Sequence, residues 1–311
     1  MKGTESQGKN SKLYSWSWNV AYRKKPQGSI FSDLKTEWTV IPNSMRYWTA
    51  DPFIIEFENE IYVFAEMFDY FRQRGVLGYY QITAKNPKWI PVIVESYHLS
   101  YPYIFIKDNE IFMVPDASGS NNLYIYHAKR FPDKWEKVGN LRPDKYYADT
   151  SVLVDIDAEP RYAFSFDLED PLNPRSVLLN IESAEYDMTI SEFDNQPEVK
   201  RPAGKTFVMK GKLIRPAQYS VGGYGKALLM YEYHFENGQF LESLIKKIEP
   251  ENLKLDKKMV QGGIHTYNAT ENYEVVDIKT RRFNLFDFIY RIIDKIKRVR
   301  NEEKSSTGGN L

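Results

Sequence analysis

A segment near residue 50 is written a second time about fifty residues later, and this repeat limits the possible folds more than any other feature. Ala50-Asp51-Pro52-Phe53 becomes Ser100-Tyr101-Pro102-Tyr103, Asn59-Glu60-Ile61 becomes Asn109-Glu110-Ile111, and Glu66 becomes Asp116. Each copy is two apolar strands around a tight polar turn. A supersecondary unit recurring at that period is the mark of a β-propeller blade. Weaker copies follow: Ala148-Asp149-Thr150-Ser151 with Tyr162-Ala163-Phe164, Leu213-Ile214-Arg215-Pro216-Ala217-Gln218 with Leu228-Leu229-Met230-Tyr231, and Ile264-His265-Thr266 with Glu274-Val275-Val276-Asp277. Inner strands therefore begin near Asp51, Tyr101, Asp149, Arg215 and His265, which predicts an all-β, five-bladed propeller. A β-sandwich with a chance duplication does not account for the shared offset.

The strand-like Trp16-Ser17-Trp18-Asn19-Val20-Ala21-Tyr22 precedes the first copy. It is expected to close the ring by pairing with the last blade, which removes exposed sheet edges. Residues 13–282 are assigned to the propeller, with disordered ends at 1–12 and 303–311. Between them, residues 283–302 place Leu285, Phe286, Ile289, Ile292, Ile293 and Ile296 on one helical face and Arg291, Lys295, Lys297, Arg298 and Arg300 on the other. That pattern predicts an amphipathic basic helix. Docking on the propeller or a partner chain is one use; peripheral contact with an anionic membrane through residues 283–300 is the other.

Hairpin arithmetic locates the candidate site. A turn centred between Glu58 and Asn59 pairs Asp51 with Glu66, and the second copy pairs Tyr101 with Asp116. Each blade then presents two side chains at one end, and the ends converge on a central mouth. Asp51, Glu66, Asp116, Asp149, Asp167, Arg215, Gln218, Glu232 and His265 are the candidates there. Glycoside chemistry needs two carboxyl groups flanking a bond, with like charges close enough to keep one protonated near neutral pH. A mouth holding Asp51, Glu66 and Asp149, with Arg215 opposite, has those ingredients.

Composition narrows the alternatives. Forty-two basic residues balance 42 acidic ones, which argues against a broad nucleic-acid surface. The chain has no cysteine and only four histidines, none at metal-ligand spacing, so neither a thiol nucleophile nor a zinc site is expected. No cofactor is expected either, because no phosphate-loop glycine pattern exists. Aromatic residues make up 15% of the chain, which suits both pleated sheet and sugar stacking. The polar start, Met1 to Lys12, lacks a signal-like apolar core, and no long apolar run occurs. A cytoplasmic protein, peripheral at the inner membrane face, is the expectation.

The chain resembles the N-terminal propeller domain of glucosamine inositolphosphorylceramide transferases and its bacterial relatives. The resemblance rests on Ala50-Asp51-Pro52-Phe53, Phe64-Ala65-Glu66, Ser100-Tyr101-Pro102, Phe131-Pro132-Asp133-Lys134-Trp135, Ala148-Asp149-Thr150-Ser151, Arg201-Pro202-Ala203-Gly204, and Arg215-Pro216-Ala217-Gln218 with Tyr224-Gly225. It implies a role in polysaccharide or glycolipid biosynthesis, beside a glycosyltransferase partner. The catalytic transferase domain of the plant proteins lies elsewhere in their chains. In architecture the domain is also similar to five-bladed glycoside hydrolases of families 43, 32 and 68, whose first-blade Asp is base or nucleophile. Asp51 matches it, and Asp149 takes the place of the Asp that tunes the pair. Their general-acid Glu has no clear counterpart; Glu66 and Glu232 are the substitutes. Tyr101, Asp116, Arg215, Gln218 and His265 would bind substrate. A carbohydrate-active propeller is the expected function, with a non-catalytic glycan-binding or scaffolding module as the alternative.

Overall fold

The computed structural model describes residues 14–26, 37–153, 162–170, 172–180, 197–236, 239–255, 261–293 and 295–296. The expectations for residues 1–12 and 303–311, and for the end of the helix at 297–302 with Lys297, Arg298 and Arg300, lie outside them. Five antiparallel sheets follow one another along the chain as propeller blades. Blade one contains Tyr47–Phe57, Glu60–Asp69, Arg74–Gln81 and Trp89–Ile93. Blade two contains Ser100–Lys107, Glu110–Asp116, Asn122–Arg130 and Lys134–Pro143. Tyr147–Leu153, Tyr162–Asp167 and Arg175–Asn180 form blade three. Blade four contains Phe207–Met209, Lys212–Tyr219, Ala227–Glu236 and Gln239–Ile248.

Blade five joins the two ends of the described chain. Tyr14–Lys24 runs antiparallel to Tyr273–Phe283 along its whole length, as ring closure requires. A buried ion pair pins this seam, with Arg23 2.8 Å from Glu274 and the Tyr267 hydroxyl donating to the same carboxylate. The inner strands are buried on both faces, which explains why their sequences read as nearly continuous apolar runs. Phe53, Phe64, Tyr101 and Met113 pack together, as do Val20, Ile54, Val63 and Val275, and Ile214, Met230, Tyr267 and Val276.

Two expectations are corrected here. Glu66 pairs with Ala50, not Asp51, and Asp116 pairs with Ser100, not Tyr101. The reason is an extra residue in each inner strand: the register slips between Ala50 and Phe53, between Ser100 and Tyr103, and again between Ala148 and Ser151. In every case the residue that opens the bulge has positive φ: 50° at Asp51, 45° at Tyr101 and 50° at Asp149. Such bulges bend a strand and re-aim a side chain.

The second correction concerns blade four. Its inner strand is not Leu213–Gln218 but the segment from Arg201 to Met209. Pro202 bridges to Ala217, and Phe207–Met209 pairs with Lys212–Ile214. The two Arg-Pro-Ala sequences are thus neighbouring strands, and Arg201 holds the position equivalent to Asp51, Tyr101 and Asp149.

A C-terminal helix covers 285–293 and continues at 295–296. Asn284 caps it by accepting the N–H groups of Phe286 and Asp287 on its side-chain oxygen, satisfying donors that a helix start leaves open. Phe286 packs on Phe71, and Tyr290 packs on Phe68 at the end of blade one. No described helix is long and apolar enough to cross a membrane.

Candidate functional site

The three bulges lie at one end of the propeller, around a cavity of about 260 Å³. Asp51, Glu66, Asp116 and His265 line it, as expected, together with Arg201, His98, Trp18, Trp48 and Tyr224. All five blades contribute a charged or titratable side chain if Asp149, paired with Arg201, is counted.

Asp51 and His265 are held by a residue that sequence reasoning passed over. Asp277, fully buried, accepts the backbone N–H groups of Asp51 at 3.0 Å, His265 at 2.9 Å and Thr266 at 2.9 Å. The His265 ring is placed between two acids, with Nδ1 2.7 Å from Asp277 and Nε2 3.3 Å from Asp51. Trp18 stacks on the imidazole with centroids 4.0 Å apart. The Thr266 hydroxyl donates to Asp51 at 2.9 Å. Hydrogen bonds from blade five thus justify the left-handed backbone at Asp51, a conformation that a non-glycine residue keeps only when its surroundings enforce it.

The electrostatics of this cluster follow from burial. Desolvation lifts the Asp51 carboxyl to about 8; His265 opposes the shift, while Asp149, Glu66 and Asp277 reinforce it. Asp51 therefore carries its proton near neutral pH. Burial favours neutral His265, but Asp277, Asp51 and Asp149 outweigh it and raise the imidazole above its usual value. Asp149 is also raised by burial, opposed by Arg201.

Glu66 faces His98, with 3.3 Å between Oε1 and Nε2. The His98 Nδ1 accepts the Gly75 N–H at 3.0 Å, which only an unprotonated nitrogen can do. Burial disfavours a charged His98, yet Glu66, Asp116 and Asp51 pull it up to about 9. These two indications conflict. The Gly75 bond decides the tautomer, because protonation at Nδ1 would break it; we assign the neutral ring with its proton on Nε2, the nitrogen nearer Glu66. Gly75 allows this contact: a Cβ there would lie 2.7 Å from Glu66 Oε1 and 2.3 Å from the Leu99 carbonyl.

Behind the cavity wall, Arg201 pairs with Asp149 at 2.5 Å, and Gln218 donates to the same carboxylate at 3.1 Å. Tyr101 is wholly buried; its hydroxyl meets Ser151 of blade three and accepts the Gly204 N–H of blade four, so it ties blades two, three and four together. Asp149, Gln218 and Tyr101 thus support the site from below. Two expected residues stand apart. Arg215 is buried over Phe164 and bonded to Glu242 at 2.8 Å. Glu232 forms an ion pair with Lys212 at 2.7 Å, on the strand behind. The cation facing the carboxylates is Arg201, and the fifty-residue step from Asp51-Pro52 through Tyr101-Pro102 to Arg201-Pro202 is the signal that points to it.

Asp51, His265 and Asp277 can each offer a metal-ligand atom, all within 4.8 Å of one another. Both Asp277 oxygens already accept backbone N–H groups, and Asp51 Oδ1 accepts Thr266. A hard cation seeks six or more free oxygen ligands. The cluster fits a hydrogen-bonded relay better than a cation cage.

Comparison with known proteins adds family and fold. The family described as "Glucosamine inositolphosphorylceramide transferase 1, N-terminal" matches residues 39–255. The glucosamine inositolphosphorylceramide transferase 1 of Oryza sativa subsp. indica is 28% identical over 196 residues, covering 60% of this chain and 26% of that protein. Its Arabidopsis thaliana counterpart is 32% identical over 99 residues, 30% of this chain and 13% of that protein. The chain thus spans about a quarter of the rice relative. Among solved structures, the catalytic domain of Coprinopsis cinerea GH62 α-L-arabinofuranosidase is similar with a TM-score of 0.53 at 11% identity, covering 77% of this chain and 93% of that one. That likeness is one of fold.

Proposed function

We propose that this chain, which belongs to the glucosamine inositolphosphorylceramide transferase 1 N-terminal family, binds a sugar in the bulged mouth of its propeller and performs acid-assisted glycoside chemistry there, in surface polysaccharide or glycolipid biosynthesis. The observation that carries this reading is the convergence of Asp51, Glu66, Asp116 and His265 in one cavity walled by Trp18 and Trp48. Asp51, protonated near neutral pH, serves as proton donor. This reverses the role that the hydrolase resemblance implies for it, and desolvation is the cause. Glu66, 3.3 Å from His98 Nε2, is the partner carboxylate. Arg201 and Asp149 set the field around the pair.

A panel of aryl glycosides and a glycan array test this together. Turnover of at least one glycoside, reduced in Asp51→Asn without loss of binding, supports it. Binding without any turnover favours the second reading, a glycan-binding module, for which the occupied hydrogen bonds of Asp51 speak. Neither binding nor turnover would sink both.

We place the protein at the cytoplasmic side of a membrane, with the exposed apolar residues of the helix as the contact. Leu285, Ile289, Ile292, Ile293 and Ile296 are each 41–48% exposed, an unusual apolar content for a water-facing surface. The helix rests on Phe68, which stacks on Trp48 of the cavity wall at 4.9 Å. A bilayer touching these isoleucines would bring a glycolipid headgroup to the mouth. Sedimentation with anionic vesicles should lose this chain when residues 283–311 are deleted. Unchanged binding would remove the helix from the account. A separate glycosyltransferase partner completes the reading, testable by co-purification.

A further inference from the structure

A second cavity, about 670 Å³, opens between blades four and five. It shares a wall with the sugar mouth. Trp18 stacks on His265 in the mouth, and Trp16, two residues earlier on the same strand face, lines the second cavity. Lys279 stands over the Trp18 ring at 5.5 Å and lines the second cavity as well. The size is that of a small-ligand pocket.

Its charge is unbalanced in one place. Lys247 is matched by Glu249 at 3.0 Å, and it also lies over the Tyr219 ring at 4.0 Å. Lys226 and Lys279 also line the cavity, and among the described residues neither has an ion-pair partner. Burial and the nearby Lys226 lower the Lys279 pKa, so Lys279 has a like-charged neighbour and no counterion. Glu251, the other carboxylate of the lining, is exposed on the short turn Pro250–Asn252. Two ammonium-bearing residues from neighbouring blades, lining one cavity and close enough for Lys226 to repel charge on Lys279, gain most from a dianion. A phosphomonoester, close to doubly charged at neutral pH, is that ligand, and lysine binds it as a point charge. Trp16, 47% exposed, offers a flat apolar face beside it for a sugar ring.

We propose that this cavity is a phosphoryl subsite, built by Lys226 and Lys279, for a phosphorylated sugar. The sugar part rests on the carbohydrate reading of the neighbouring mouth; the phosphoryl part does not. The subsite would let the protein select charged over neutral forms of one sugar.

Calorimetric titration of the full chain with inorganic phosphate, glucose 1-phosphate, glucose and glucuronate tests it at low and physiological salt. Phosphate and glucose 1-phosphate should bind, more weakly as salt rises, and the carboxylate more weakly than either. Lys226→Met with Lys279→Met should cut that affinity about tenfold or more, the usual cost of losing bonds to a charged group. Methionine keeps the apolar stem, and removing two repelling cations should not lower the unfolding temperature. Lys226→Arg with Lys279→Arg should retain binding. Phosphate bound while glucose 1-phosphate gains nothing over it supports the subsite and counts against its sugar. No phosphate binding, or binding indifferent to both lysines, overturns the proposal.

Discussion

Left-handed residues occur at both ends of the propeller, for opposite reasons. At the turn end they come in pairs, Glu58-Asn59, Asp108-Asn109 and Lys210-Gly211, each closing a hairpin with positive φ at both positions. Two-residue turns of that hand match strand twist, and asparagine and glycine suit them. Nothing beyond local geometry is needed. At the mouth end three of them, Asp51, Tyr101 and Asp149, are single residues in bulges rather than in tight turns. Contacts from other blades hold them: Asp277 for Asp51, Ser151 and Gly204 for Tyr101, Arg201 and Gln218 for Asp149. Strain explained by the turn is structural. Strain explained only by long-range contacts marks the candidate site.

The largest effect that would sharpen this contrast is on chemistry. Asp51→Asn should lower glycoside turnover by about 10²–10⁴-fold, the usual share of a general acid, while affinity stays within a few-fold. Next comes Arg201→Met. It strands the buried Asp149 carboxylate and should cost about 3 kcal/mol in denaturant unfolding, since breaking a buried pair is expensive. Adding Asp149→Asn should restore most of that loss. Equal costs with and without Asp149 would show that the pair is not what holds the bulge.

The pH dependence has a definite sign. Asp51 and His265 both have raised values in the fold, so the folded state binds more protons than the unfolded one between pH 5 and about 8. The stability they contribute is present at the acidic side and lost as pH rises through those values. The lowered carboxylates, Asp69 and Glu242, are already ionised throughout that window and stay silent. The unfolding temperature should fall from pH 5 to pH 8.5, and Asp51→Asn should flatten the fall. The smallest effect belongs to the turn end. Asn59→Gly should stabilise by about 0.5 kcal/mol, because glycine adopts this backbone freely, with no change in ligand affinity. A change in affinity there would blur the distinction between the two ends.

Much of this was legible in the sequence, and the failures have a common cause. Pro52 with Pro102 and Asn59 with Asn109 specified the repeat, and the alternating Trp16 to Tyr22 strand specified the closure. A C-terminal helix was expected and is present over 285–293 and 295–296. Hairpin arithmetic assumed an unbroken ladder, so a bulge of one residue displaced Glu66 and Asp116 by one partner. Arg201 and Arg215 both begin Arg-Pro-Ala, and only strand pairing shows which one starts the blade. Asp277 sits within Glu274-Val275-Val276-Asp277, an ordinary strand in sequence; its role depends in part on the Asp51 N–H, 226 residues away in the chain. His98 acquires its role from Gly75 and Glu66, which no local spacing announces.

Position of a bound sugar is the most direct test of the account. A crystal of this chain soaked with the tightest glycan from the array should show the ring at the bulged end, against Trp18 or Trp48, with a hydroxyl on Asp51 or Glu66. A sugar seated instead at the opposite end, between Ile54, Phe105 and Lys205 where a cavity of about 380 Å³ lies, would contradict it.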